Sequence, residues 1–385
     1  MMRFLVAPFV FYVVALALGL ALRFFFVAPF AGIDFGNAVH AHSHTLYFGW
    51  VGLGIFALAF RRVGASDRLA GGILHAIAVV SAATFVAFLH SGYALPGIVV
   101  STIALLVWAA AVVVFWRRAR GQQGIDLAFL RAGMFYVLLA TAGAWARVVI
   151  LALGISDPLP GKLAVFAFLH DFAWFFVLSI FGLLAWLGPR IDIRLDERLL
   201  RLQLRLTIPF AWLTFPLGVP GGGEGVLGLV AKIAALALLV PAAIGCFNLW
   251  RASPRTRWLA FWFGLQAAME GAGALGLAEA ALQSRHLAIL YLHVLLVGFV
   301  SLGLAMLLLA ARGRVAALAT SLHNLGLATM GAGLALAGGG IVGLGALALP
   351  GLWLATAGGA GIALAGVAFL AAALRPEPLP LPATA

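Results

Sequence analysis

Apolar residues run along this chain in blocks of about 20, broken by short clusters of arginine, glycine and proline. A block of that length lets an α-helix cross a hydrocarbon layer about 30 Å thick. Cutting at charges, glycines and prolines predicts twelve spans, at 4–22, 37–60, 69–90, 95–116, 127–153, 163–188, 202–219, 226–250, 258–283, 286–311, 315–337 and 347–374. The seventh is short and holds Pro209 and Pro216. The last two are rich in glycine and alanine, which suits close helix packing. The expected fold is all-α: a polytopic membrane helix bundle of about twelve helices, one domain over 1–375. A charged connector at 189–205 and a Pro-rich tail at 376–385 complete it.

The basic residues then orient the bundle. Arg61, Arg62 and Arg68 follow span two, and Arg117, Arg118 and Arg120 follow span four. Arg190, Arg194, Arg198 and Arg201 follow span six, and Arg251, Arg255 and Arg257 follow span eight. Arg312 and Arg314 follow span ten and Arg375 follows span twelve, while the odd loops hold little beyond Arg23, Lys162 and Arg285. Cytoplasmic loops carry the excess of Lys and Arg, so both termini are expected on the cytoplasmic side of a bacterial-type inner membrane.

Composition sharpens this picture. With 64% hydrophobic and 9% charged residues, and a mean hydropathy of +1.13, a soluble domain is excluded. The net charge of +12 lies mainly in the topology loops and does not read as a nucleic-acid surface. One cysteine, Cys246, leaves no intrachain disulfide or thiolate zinc site. Met1-Met-Arg3 before an apolar stretch has the outline of a signal peptide, but no polar segment follows, and an uncleaved first helix is expected. The 29 Phe and 11 Trp are expected mainly on lipid-facing and interfacial surface.

The polar residues inside the apolar blocks carry the chemistry. Span two opens Asn37-Ala-Val-His40-Ala-His42-Ser-His44, three imidazoles in five residues. Each ring has a donor and an acceptor that lipid cannot satisfy, which makes these residues functional candidates. Counting about 1.5 Å per residue places His40, His42, His44, His90, Arg147, His170, Asp171, Glu279, His286 and His293 in the outer half of the membrane. Glu270 falls near mid-depth, while His75, His323 and Lys232 fall outside the layer. At about 100° per residue His40 and His44 share one helix face, His42 points about 200° away, and His286 and His293 share a face.

Neutral imidazole suits haem iron and copper. A ring on span two facing a ring on span ten gives two axial ligands for a haem. His90 and His286 sit at the membrane edge and also read as interfacial rings, with His286 a second ligand candidate on span ten. His75 and His323 read as interhelical hydrogen bonds. His170-Asp171 is either a self-contained polar pair or a metal or proton site. Arg147 is expected to pair with Glu279 or with an anionic group such as a haem propionate.

His42-Ser-His44-Thr-Leu-Tyr-Phe48-Gly49-Trp50 resembles the His-Ala-His-Glu-Met-Leu-Phe-Gly-Phe motif of the NnrS family, and His293-Val-Leu-Leu-Val-Gly298 resembles that family's His-Ala-Leu-Thr-Val-Gly segment. NnrS proteins are twelve-span membrane proteins that bind haem and copper and are linked to nitric oxide metabolism. The same elements resemble subunit I of haem-copper oxidases and nitric oxide reductases, which place metal-ligating histidines on helices two, six and ten. The resemblance implies a haem, b-type, with His44 as first choice on span two and His40 or His42 as alternatives. It implies His293 as the opposing ligand, His170 as an open-site or copper ligand, and a diatomic gas, quinol or cytochrome as partner besides the lipid bilayer. Span seven lacks the oxidase histidine pair and span ten lacks its His-x-His, so a complete binuclear centre is not expected. The competing class is a proton- or metal-ion-coupled transporter without haem, using His40, His170, Asp171 and Glu270.

Overall fold

Aspartates start several of the helices that the apolar blocks continue. Asp34, Asp67, Asp157 and Asp196 each accept hydrogen bonds from backbone amides of the first turn, at 2.7 to 3.2 Å. Each such cap contributes about 0.5–2 kcal/mol. The computed structural model describes residues 3–375 apart from 66, 310–312, 340–342 and 344, so the expected tail at 376–385 and Arg312 lie outside the described residues.

In chain order the helices are α1 (Arg3–Phe25), α2 (Phe35–Arg62), α3 (Arg68–Ser91), α4 (Leu95–Ala119), α5 (Ile125–Ala152) and α6 (Pro158–Leu187). There follow α7 (Glu197–Ala211), α8 (Gly225–Ala252), α9 (Arg257–Ala272), α10 (Arg285–Leu309), α11 (Gly313–Gly338) and α12 (Ala348–Ala373). Each of the twelve expected segments therefore contains a helix, although the seventh, expected over 202–219, leaves the α-helix at Ala211. Among the described residues, nine helices are long and apolar enough to cross a membrane: all except α7, α9 and α11.

The three exceptions have separate causes. Helix α7 has 15 residues and is amphipathic, with Arg198, Arg201 and Arg205 on its polar side and Leu200, Leu204 and Ala211 buried. Helix α9 passes into a π-helical stretch, Gly273–Leu277, where Gly276 adopts φ +108°, and resumes only over Ala278–Gln283. Helix α11 is long, but Ser321, His323, Asn324 and its glycines dilute its hydropathy. The aromatic residues also depart from expectation. Trp50, Trp108, Phe9, Phe48, Phe88 and Phe172 are fully buried core, while Trp145, Trp212 and Trp353 are exposed as anticipated.

The chain divides into two compact units, Met1–Gln122 with Ser301–Ala385, and Gln123–Val300, so the division falls within α10. In the first unit α1 packs on α2 and α12, α3 on α4, and α11 on α12. Its core is keyed by Trp50, whose ring stacks on Tyr12 at 4.4 Å and whose Nε1–H donates to Ser301 Oγ at 2.9 Å. The Tyr12 hydroxyl hydrogen bonds His323 Nδ1 at 3.3 Å, so His323 makes an interhelical contact. In the second unit α5 packs on α6, and α8 on both α7 and α9.

Helices α11 and α12 approach backbone to backbone. A Cβ on Gly326 would lie 2.8 Å from Ile362 N, one on Gly351 2.6 Å from Ala337 N, and one on Gly358 would press on Met330 N. Backbone atoms cannot swing aside, so overpacking there costs about 1–3 kcal/mol or more. Gly358→Leu is expected to lower the thermal midpoint of the detergent-purified protein. Gly71→Ala, where a Cβ meets nothing within 4 Å, is expected to leave it unchanged. Equal midpoints for the two variants would refute the contact.

Candidate metal-ligand and polar sites

Helix α2 changes character at its histidines. It is α-helical over Phe35–His44, π-helical over Thr45–Gly52, and α-helical again over Leu53–Arg62, with the π segment buried throughout. His44 is 7% exposed; its Nδ1–H donates to His40 O at 2.9 Å, and its ring stacks on Phe88 of α3 at 4.0 Å. His40 is half-buried and meets Tyr93 edge-on at 4.5 Å. His42 turns instead to α1, where its Nδ1–H donates to Ala15 O at 2.8 Å. Gly19 makes that possible: a Cβ there would sit 2.7 Å from His42 Cε1. His40 and His44 thus share the Phe88–Tyr93 side, and His42 takes the opposite face.

The same construction recurs on α10. His293 Nδ1–H donates to Ile289 O at 2.8 Å, and a π-helical segment, Val294–Ser301, begins at the next residue. The two stretches also match in sequence. His44, Gly49, Trp50, Val51, Gly52, Leu53 and Gly54 correspond in spacing to His293, Gly298, Phe299, Val300, Ser301, Leu302 and Gly303. A carbonyl can only accept, so the ring nitrogen facing it carries the proton. In a neutral ring that leaves Nε2 with its lone pair, the donor atom iron requires. Second-shell carbonyl ties of this kind are the usual partners of metal-ligating histidines, and π turns inside α-helices occur frequently at functional sites.

His286 lies half-buried in the first turn of α10. Arg147 on α5 lays its guanidinium against Gly161 of α6. Among the described residues it makes no ion pair with Glu279. His75 is exposed on α3, and His90 is exposed at the end of that helix.

His170 has both ring nitrogens engaged. Nδ1 faces Asp171 Oδ1 at 3.3 Å, and Nε2 lies 2.8 Å from Thr214 Oγ1 and 3.3 Å from Trp174 Nε1. His170, Trp174, Gln266, Glu270 and Tyr291 line a cavity of about 50 Å³ in the second unit, with Val177, Leu238 and Phe263 among its apolar walls. Thr214, Gln266 and Tyr291 were not legible as site residues. Gln266 and Glu270 do stand four apart on α9, the spacing that shares a helix face, and Tyr291 stands two residues before His293. Among the described residues, no three His, Cys, Asp or Glu side chains converge as a protein-only metal cage.

No family model matches the chain, and no curated protein matches it. A solved structure of a heme-copper terminal oxidase dimer is similar to it over 98% of this chain and 84% of that chain, with a TM-score of 0.74 and 14% identity. The chain therefore has an oxidase subunit I-like fold and is a multi-pass membrane protein in contact with the lipid bilayer.

The pocket for His42 depends on a missing side chain. Gly19→Val is expected to displace the ring from Ala15 O and to change the nitrogen-15 NMR signal of His42, leaving that of His44 in place. Unchanged signals from both histidines would contradict this packing.

Proposed function

We propose that the protein binds a haem, with His44 and His293 as the candidate residues to hold its iron, and acts in nitric oxide or oxygen handling or in electron transfer. The observation that carries this reading is the paired construction: a histidine whose Nδ1–H is tied to its own helix and whose Nε2 keeps its lone pair, followed at once by a π-helical segment. The donor set fits the group, because imidazole nitrogen is an axial ligand for haem iron. Bound haem would supply an iron that exchanges single electrons or takes a diatomic gas at an open position. Covalent attachment of the c-type needs a Cys-x-x-Cys-His run, and with Cys246 alone the haem is held non-covalently, as a b-type haem is.

The chain's own residues do the positioning. The carbonyls of His40 and Ile289 orient the two rings, and Phe88 covers one face of His44. His42, tied to Ala15, and His40, beside Tyr93, are the alternative ligands on α2. Arg147 and His286 are reserve contacts, Arg147 for a propionate and His286 for the metal. Copper at His170 has weaker support, since Thr214 and Trp174 already address its Nε2. The resemblance to NnrS favours nitric oxide over oxygen. A quinol or cytochrome would be the electron donor, and the positive-inside pattern supports a bacterial-type inner membrane with both termini in the cytoplasm.

The His170–Asp171 pair, with His170 and Glu270 lining one cavity, favours as a second reading an ion-coupled transporter without haem. An optical spectrum of oxidised and reduced protein, with a haem assay for stoichiometry, separates the two. A Soret band near one haem per chain is expected, lost or converted in His44→Ala and in His293→Ala and unchanged in His75→Ala. A colourless protein from haem-replete cells, or an unaltered spectrum in His293→Ala, would defeat the haem reading.

A further inference from the structure

Helix α7 presents an outer face whose chemistry changes along its length. Its other side, Leu200, Gln203, Leu204, Thr207 and Ala211, is buried, and a Cβ on Gly245 of α8 would sit 2.6 Å from Gln203 Nε2. The exposed residues are Arg198, Arg201, Leu202, Arg205, Ile208 and Pro209, and Trp212 continues the row just past the helix. At about 100° per residue these fall on one side. The three arginines lie in the first half of the row, and beyond Arg205 it is apolar, with Ile208 45% and Trp212 50% exposed.

The helix starts at a membrane face and runs inward. Its capping residue, Asp196, exchanges two hydrogen bonds with Asn248 near the end of α8, which is long and apolar enough to cross a membrane. Asp196 N–H donates to Asn248 Oδ1 at 2.8 Å, and Asn248 Nδ2–H donates to Asp196 O at 3.0 Å. Past its other end Thr214 meets His170, which stands about 25 Å before the end of α6. Along the axis Arg198, Arg201 and Arg205 stand about 3, 8 and 14 Å from Asp196. A headgroup layer is about 5–8 Å thick, so Arg205 starts beyond it and its long side chain turns back toward the headgroups.

Two of these guanidiniums lack a protein partner. Arg201 pairs with Glu197 one turn back, whereas among the described residues the side chains of Arg198 and Arg205 make no hydrogen bond or ion pair. A cation at membrane depth is costly unless an anion meets it. We propose that this face seats an anionic phospholipid, with its phosphate at Arg198 and Arg205 and an acyl chain along Ile208 and Trp212. The planar guanidinium matches a phosphate with two parallel hydrogen bonds. A zwitterionic headgroup carries a cation of its own, which offsets the attraction, so net negative charge selects the lipid. An acidic soluble protein or a nucleic acid would need the row to stay polar. A phospholipid makes the same change from charge to hydrocarbon over the same distance.

The test is native mass spectrometry of the full-length, detergent-purified protein offered phosphatidylglycerol and phosphatidylcholine in equal amounts, a readout that does not depend on haem. The wild type is expected to take phosphatidylglycerol in preference. The double variant R198Q/R205Q is expected to weaken that preference by about five-fold for each arginine removed. R117Q/R120Q, which takes the same charge from exposed positions in the first unit, is expected to leave it unchanged. No preference in the wild type, or equal losses in the two double variants, overturns the proposal. A photo-crosslinker placed at position 208 in intact membranes is expected to label phospholipid. A protein adduct there overturns the proposal too, because a partner chain then covers the face. Should R198Q/R205Q not fold, the crosslink decides alone.

Discussion

Hydrocarbon offers no hydrogen bonds, so each ring nitrogen placed at membrane depth has to find its partner inside the protein. The consequences are visible at every intramembrane histidine of interest. His42 turns to the Ala15 carbonyl, His44 and His293 turn to the carbonyl one turn back on their own helices, His323 meets Tyr12, and His170 is held from both sides. The self-tied pair is distinctive. In each, the tie to the helix's own carbonyl sets the tautomer of the neutral ring.

The π segments belong to the same constraint. A π turn closes its hydrogen bonds over five residues where an α turn closes them over four, and such turns persist where packing over-determines them. The segment Thr45–Gly52 is buried at every position, with Gly52 under Trp108 and Gly49 under Phe11. A side chain at either glycine would strike an aromatic ring. The glycines, and not any propensity of the surrounding leucines and valines, allow the wide turn to sit in the core.

Much of the architecture was legible because it depends on properties that short windows of sequence carry. Span two was expected at 37–60 and lies at Phe35–Arg62; span four was expected at 95–116 and lies at Leu95–Ala119. Helical periodicity also set the faces correctly within Phe35–His44, with His40 and His44 on one side and His42 on the other. Legibility failed where tertiary packing decides. No composition announces a π segment, and the echo between 44–54 and 293–303 is too short to stand out as a repeated half. Thr214 and Gln266 escaped notice because a hydroxyl and an amide are not ionisable, although Gln266 lines the cavity with Glu270 and His170, and Thr214 hydrogen bonds His170.

The carbonyl ties on His44 and His293 have a consequence for affinity. A side chain that must be immobilised on binding costs about 0.5–1.5 kcal/mol. Here that cost is incurred when the helix folds, before any ligand arrives. For each ring the saving corresponds to roughly a two- to twelve-fold gain in binding constant. Each imidazole thus behaves as a rigid fitting, its orientation settled by its own helix.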